Sequence, residues 1–141
     1  MAEEAVASGP TRAQASRPSP VILVVDDEPG VRQLVCRTLE GEGYSTREAA
    51  HGGEALELVE ASPDPIHLVI TDVVMPGMDG RELGRRLAQS RPTLPVLYIS
   101  AYDVNDIFRR GSPSISAPFL QKPFPQDILL TRVEQLLKQP A

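Results

Sequence analysis

The stretch that decides the fold is VILVVDDEP, at residues 21–29. Its first five residues form a continuous run of Val, Ile and Leu, which is typical of a strand buried on both faces, as in a parallel sheet. The run ends at Asp26 and Asp27, and Pro29 suits the first turn of a helix. The stretch therefore predicts a buried strand that leads through two carboxylates into a helix.

The same alternation of strand and helix continues along the chain. Gly41 and Gly43 are predicted to stop the first helix. Its predicted inward side chains are Val31, Leu34, Val35, Thr38 and Leu39. Further strands are predicted at 44–49, 66–71, 95–100 and 119–121, and further helices at 54–61, after 80 and at 126–138. Right-handed crossovers join such strands into a parallel sheet with helices on both faces. The predicted fold class is therefore α/β, doubly wound and five-stranded.

Three segments fall outside this pattern. Residues 1–20 carry three prolines and almost no large aliphatic side chains, so they predict a disordered tail or linker. Residues 103–110 predict a short or frayed helix, followed by an irregular loop at 111–118, and we expect 103–117 to be the most mobile part of the domain. Residues 139–141 are expected to be a short C-terminal tail, which leaves 21–138 as the predicted folded domain.

Composition excludes several classes of protein. The chain has 141 residues, the size of one domain, and its 14 basic and 19 acidic residues give a net charge of −5, which argues against nucleic-acid binding. No apolar run approaches the roughly 20 residues of a membrane span. The single cysteine, Cys36, excludes an internal disulfide and a zinc site of several thiolates. We therefore expect a cytoplasmic protein without a nucleic-acid or membrane partner.

Polar side chains follow four of the five predicted strands. Asp26 and Asp27 follow the first strand, Asp72 the third, Ser100 ends the fourth, and Lys122 comes directly after the fifth. One Asp at the end of a strand is more often a turn or cap residue than a ligand. The carboxyl ends of parallel strands meet at one edge, however, and ligands bind there in open α/β sheets. The coincidence predicts a functional site at that edge.

The chemistry of this set points to phosphoryl transfer. Three carboxylates that lie close together repel one another unless a cation joins them, and oxygen ligands at a wet rim suit Mg²⁺, or Mn²⁺ in its place. Mg²⁺ usually takes only one or two carboxylates, which leaves another free to attack phosphorus and form an acyl phosphate. Lys122 and the Ser100 hydroxyl would cover the remaining phosphoryl oxygens.

These residues resemble a known family, the receiver domain of two-component response regulators, over Val21 to about Lys138. Its acidic pair is similar to Asp26-Asp27, its phosphoacceptor strand and loop to DVVMPGMDG at 72–80, and its hydroxyl-plus-alanine step to Ser100-Ala101. Its lysine–proline–phenylalanine element, in which the Lys-Pro bond is typically cis, matches residues 122–124. The wording FLQKPF at 119–124 is also similar to receivers attached to hybrid sensor kinases.

The resemblance implies a flavodoxin-like sheet with the strand order 2-1-3-4-5. It also implies that Asp72 is phosphorylated, that Asp27 binds the metal directly and that Asp26 acts on it mainly through water. The Val74 carbonyl would be a further ligand. The phosphoryl group would be held by Ser100 and Lys122.

Switching and phosphate lifetime follow from the same resemblance. Ser100 and Phe119 would rearrange to alter a protein-binding face. Val74 and Tyr102 stand at the two positions that tune phosphate lifetime, and neither side chain can orient a water as a carboxylate or amide would. We therefore predict slow autodephosphorylation. Receivers commonly have a Gly-Ala step before the fifth strand, where this chain has Ser116-Ala117-Pro118. We therefore expect its partner or its switching to differ from the family's usual pattern.

The implied partners are a histidine kinase or histidine phosphotransfer protein as donor, and an unidentified downstream protein. The domain would not be an enzyme, beyond assisting its own phosphorylation and dephosphorylation. Because the chain stops soon after the last predicted helix, we expect no output domain in it. The chain would be a stand-alone regulator or a receiver cut from a larger sensor kinase.

Two other functions remain open at this point. A phosphatase of the haloacid dehalogenase type also uses an aspartate nucleophile, but it needs a second acid where Val74 stands. A scaffold with the same fold would be expected to lose part of the acidic pocket, which is complete here. Mg²⁺-dependent acyl phosphate would exclude the scaffold, and repeated turnover of small phosphoesters would indicate the phosphatase.

Three more residues have plainer interpretations. Cys36 falls off the predicted apolar stripe of its helix and is expected to have no chemical role. Asp79 is expected to shape the turn into the third helix. Glu28 either adds charge near the metal or is a solvated carboxylate at a helix start.

Overall fold

A computed structural model describes residues 19–61, 65–101 and 118–138. Its strands are β1 (Val21–Val25), β2 (Ser45–Ala49), β3 (Leu68–Asp72), β4 (Val96–Ser100) and β5 (Phe119–Gln121). Its helices are α1 (Pro29–Gly41), α2 (Gly52–Ala61), α3 (Gly80–Ser90) and α4 (Gln126–Lys138). The strands form one sheet in the order β2-β1-β3-β4-β5, with every pairing parallel. The predicted fold class and strand order are confirmed.

The register aligns the carboxyl ends of the strands. Val25 pairs with Ala49 on one side and with Thr71 on the other, and Asp72 pairs with Ile99. Backbone bonds continue this alignment beyond the strands, since the Lys122 N–H donates to the Ser100 carbonyl at 2.7 Å. The residues that end or follow β1, β3, β4 and β5 therefore lie along one edge.

Each face of the sheet carries its own hydrophobic core, because side chains alternate along a strand. On one face Ile22, Val24, Ile70 and Leu97 pack with side chains of α1 and α4. On the other, Leu23, Val25 and Val69 pack with side chains of α2 and α3. Helices cover both faces, which is why β1 and β3 are apolar at consecutive positions. No helix within the described ranges has the length and apolarity to cross a bilayer.

The apolar stripe of α1 differs from the prediction. Leu34 is 54% exposed, whereas Cys36 is 4% exposed and belongs to the core beside Val35 and Leu39. The predictions for Leu34 and for the position of Cys36 on its helix were wrong. The stripe is centred near Val35 and Leu39. Because a helix turns about 100° per residue, Leu34 and Cys36 lie on opposite sides of this stripe, and it is the Cys36 side that packs against the sheet.

Several element boundaries also differ, and β2, β3 and β4 begin at Ser45, Leu68 and Val96 rather than at 44, 66 and 95. β3 includes Asp72, because this residue pairs with Ile99 in the ladder. α2 begins at Gly52 rather than at 54, and two hydrogen bonds between its first turn and the residues before it cap the helix. The Glu54 N–H donates to His51 Nδ1 at 3.2 Å, and the Ala50 N–H donates to Glu54 Oε1 at 2.8 Å. The predictions for residues 1–18, 102–117 and 139–141 lie outside the described residues.

Candidate functional site

Three carboxylates meet at the carboxyl edge of the sheet. Asp26 follows β1 and is fully buried, Asp72 ends β3 and is buried, and Asp27 is exposed. One ligand atom from each lies within 4.8 Å of the others. This set consists only of hard oxygen donors, two of them buried and one open to solvent, and it fits Mg²⁺, which prefers carboxylates and retains waters. The predicted convergence of the three residues is observed.

The Lys122 ammonium reaches this cluster from the end of β5. Its Nζ atom lies 3.0 Å from Asp26 Oδ2 and 3.5 Å from Asp72 Oδ2. Burial alone would lower the pKa of Lys122, but the carboxylates of Asp26, Asp72 and Glu28 outweigh it and raise the pKa. The ammonium therefore keeps its charge and partly neutralises the carboxylates. The peptide bond that follows it, Lys122–Pro123, is cis, in agreement with the resemblance.

Burial and neighbouring charges perturb the pKa of the Asp72 carboxyl. Its pKa is raised from 3.8 to about 6, chiefly by burial and further by the neighbouring charge of Asp26. The charge of Lys122 and hydrogen bonds from Lys122 and from the Val74 backbone act in the opposite direction. Without a cation, the ionised form of Asp72 is therefore unfavourable in the folded protein.

The structure also describes Ser100, Phe119 and Val74, which are three of the remaining predicted site residues. Ser100 is fully buried at the end of β4, one residue past Ile99, the partner of Asp72 in the ladder. Phe119 is half-buried in β5. Val74, two residues past Asp72, is exposed, and its side chain is apolar. Tyr102 lies outside the described residues.

Glu28 combines both interpretations offered above. Its side chain is 64% exposed and lies at the start of α1, yet its Oε1 atom is 3.5 Å from Lys122 Nζ. Its backbone N–H donates to Asp26 Oδ1 at 2.9 Å. The Glu28 carboxylate is therefore solvated and acts on the acidic cluster through its contact with Lys122. Its backbone N–H holds the buried carboxylate of Asp26 in place.

The loop between β3 and α3 carries two determinants. The Asp79 carboxylate accepts from the Glu82 N–H at 2.9 Å and caps α3, which confirms its role in this turn. Gly80 was not singled out from the sequence, although a Cβ atom there would lie 2.2 Å from the Asp72 carbonyl oxygen. Only glycine allows α3 to begin so close to the end of β3. The Asp-Gly pair before a helical pattern signals a turn, but it does not reveal that contact.

Arg32 is a second residue that the sequence did not single out. Its guanidinium Nη1 donates to the Asp26 carbonyl oxygen at 2.7 Å, and its Nε donates to Glu48 Oε1 at 2.9 Å. The only signal in the sequence is a charged residue within the buried stripe of α1, three positions before Val35.

Comparison with known proteins gives consistent results. The family model described as "Response regulator receiver domain" matches residues 22–134. Sensor kinase CckA of Brucella abortus is 39% identical over 122 residues, which are 86% of this chain and 13% of CckA. Response regulator MprA of Mycobacterium avium is 40% identical over 118 residues, 84% of this chain and 51% of MprA. The chain thus spans about half of MprA and a small part of CckA.

A solved structure shows the same architecture. The response regulator protein TrrA from Thermotoga maritima, in complex with Mg²⁺-BeF, superposes with a TM-score of 0.73 at 33% identity. The match covers 83% of this chain and 98% of TrrA. The similarity therefore extends over most of this chain and nearly all of TrrA.

Proposed function

The chain belongs to the response regulator receiver family, whose members act in two-component signalling, and we propose that it relays a signal by carrying a phosphoryl group on Asp72. The single observation that carries this proposal is the position of the Asp72 carboxylate. It shares a 4.8 Å cluster with Asp26 and Asp27 and lies 3.5 Å from the Lys122 ammonium. A nucleophile, candidate cation ligands and a fixed positive charge are thus within reach of one phosphoryl group.

In the proposed reaction, an Asp72 oxygen attacks the phosphorus of a phosphohistidine. The new O–P bond forms while the P–N bond breaks, and the histidine nitrogen takes a proton from solvent. Asp27 would bind Mg²⁺ directly, with the Val74 carbonyl as a further ligand and Asp26 acting through water. The bound cation supplies neutralisation of the phosphoryl oxygens. Manganese has the same charge and ligand preference, and we propose it as a substitute.

The remaining roles follow from the elements that hold each residue. Lys122 is anchored to Asp26 at 3.0 Å, so its ammonium is already placed for an added phosphoryl oxygen. We assign the Ser100 hydroxyl, at the end of the neighbouring strand, to another phosphoryl oxygen. Phe119 stands on β5, two residues before the Gln121 that pairs with Ser100, so a shift of Ser100 can be transmitted to it through adjacent backbone.

The proposed donor is a histidine kinase or a histidine phosphotransfer protein, and the output is a change in the face that a downstream protein binds. We propose that this takes place in the cytoplasm, where ATP supplies histidine kinases. The domain acts as a phosphoacceptor that assists its own phosphorylation and dephosphorylation, and it does not turn over an independent substrate.

The test uses a small phosphodonor, such as acetyl phosphate, with Mg²⁺ and mass measurement of the intact protein. Wild type should gain one phosphoryl group, and a chelator should prevent it. Asp72→Ala should gain none, whereas the exposed-carboxylate control Asp127→Asn should behave as wild type. A phosphoryl group retained by Asp72→Ala contradicts the assignment. Repeated hydrolysis of a small phosphoester would instead indicate a phosphatase.

A further inference from the structure

Arg32 makes two charge-assisted hydrogen bonds next to the carboxylate cluster without belonging to it. The residue lies in the buried stripe of α1, and its side chain is only 16% exposed. One bond, at 2.7 Å, goes to the Asp26 carbonyl oxygen, and the other, at 2.9 Å, goes to the Glu48 carboxylate on the edge strand β2. A guanidinium donates in a fixed, planar fork, so these two contacts orient it.

The accepting carbonyl belongs to the peptide that joins Asp26 to Asp27. Asp26 has other restraints, since its carboxylate accepts from Lys122 at 3.0 Å and from the Glu28 N–H at 2.9 Å. Asp27 is exposed, and within the part of the chain that the structure describes its carboxylate makes no hydrogen bond or ion pair. The position of the Asp27 side chain therefore depends on the orientation of this peptide.

We propose that Arg32, held by Glu48, is a positioning residue that sets the geometry of the cation site and favours Mg²⁺ over larger cations. The inference rests on the proposed function, because it concerns the same carboxylates. Mg²⁺ requires near-octahedral ligands at short distance, whereas Ca²⁺ accepts irregular coordination. Fixing the Asp26–Asp27 peptide restricts Asp27 to a narrow range of positions, and that restriction matters more for Mg²⁺ than for Ca²⁺.

Electrostatics alone predict the opposite effect of removing Arg32 on cation binding, so a measurement can separate the two explanations. Arg32 carries a positive charge close to a cation site, so removing it should strengthen the binding of any cation. If Arg32 acts mainly by positioning, its removal should weaken Mg²⁺ binding despite that gain. Arg32→Lys separates the two terms further, because lysine keeps the charge but lacks the planar fork.

The experiment measures dissociation constants for Mg²⁺ alone and for Ca²⁺ alone by following amide resonances of residues 26–28 and 72–74. For Arg32→Gln and Arg32→Lys we expect the Mg²⁺ constant to rise about tenfold, as for other groups that orient metal ligands. The Ca²⁺ constant should rise by about threefold or less. Arg37→Gln, which removes an exposed charge from the same helix, should leave both constants near wild type.

The outcomes are distinguishable. An unchanged or lower Mg²⁺ constant in Arg32→Gln overturns the inference and leaves the proposed function intact. An equal rise for Mg²⁺ and Ca²⁺ also overturns it, because general loss of structure would weaken both. Wild-type protein that binds no Mg²⁺ would contradict the proposed function itself, and the inference with it.

Discussion

Replacing Asp72 by Asn should stabilise the cation-free protein at neutral pH. Asparagine has nearly the same shape and can still accept hydrogen bonds from Lys122 and from the Val74 backbone, but it carries no charge. The wild-type carboxylate is buried beside Asp26, and both conditions make its ionised form unfavourable. The substitution removes that ionised form from the folded state.

The magnitude follows from the raised pKa. Asp72 has a pKa of about 6 in the folded protein against 3.8 for the ordinary group, a difference equivalent to about 3 kcal/mol. Since the folded pKa is the higher one, the unfolded chain loses its proton first. The penalty is absent below pH 3.8, grows as the pH rises through 6, and is complete above it. The side chain is 8% exposed, so solvent screens little of this effect.

The assay is urea unfolding of both proteins in the presence of a chelator, at pH 7.5 and pH 4.5. The variant should be more stable by about 3 kcal/mol at the higher pH and by about 1 kcal/mol at the lower one. Glu57→Gln, at an exposed carboxylate on α2, should show no such pH-dependent gain. Mg²⁺ should reduce the difference, because it stabilises the wild type by binding. Equal stability at pH 7.5, or the same gain at both pH values, would refute the reasoning.

Three further predictions concern other parts of the chain. Burial raises the pKa of Cys36 from 9.0 to about 11. Iodoacetamide at pH 8 should therefore label the folded protein about 100-fold more slowly than the unfolded chain, as followed by mass spectrometry. Equal labelling rates would contradict the burial of this thiol. In a urea titration, Gly80→Ala should lower the free energy of unfolding by about 2 kcal/mol or more, because its Cβ would lie 2.2 Å from the Asp72 carbonyl oxygen. The control Gly30→Ala, where the new Cβ meets open space, should be neutral or stabilising. Tyr102→Glu should accelerate decay of the aspartyl phosphate, measured as loss of the phosphorylated mass, because a carboxylate can orient water; unchanged decay would remove that argument.

The fold and the acidic edge were predictable because their signals are local. Continuous runs of β-branched residues mark buried parallel strands, and the residue after each run must lie at the carboxyl edge. The stripe of α1 was less predictable, since Leu34 and Cys36 flank the same apolar centre and only packing against the sheet decides between them. Close approaches across a loop leave no periodic signal, and so Gly80, which meets the Asp72 carbonyl, and Arg32, which bonds to the Asp26 carbonyl, emerged only from the structure.

The charges at the site connect the stability of the domain with its proposed signalling. Three carboxylates against one ammonium leave two negative charges in a largely buried place, and one divalent cation would balance them. The proposed phosphorylation would replace the single charge of Asp72 by up to two, which would restore an imbalance near Lys122 and Ser100. Because Lys122 is bound to Asp26, a phosphoryl oxygen on Asp72 would compete with that carboxylate for its ammonium. Under the proposed function, that competition would act beside β4 and β5, the strands that carry Ser100 and Phe119, and would give the proposed switch a physical driving force.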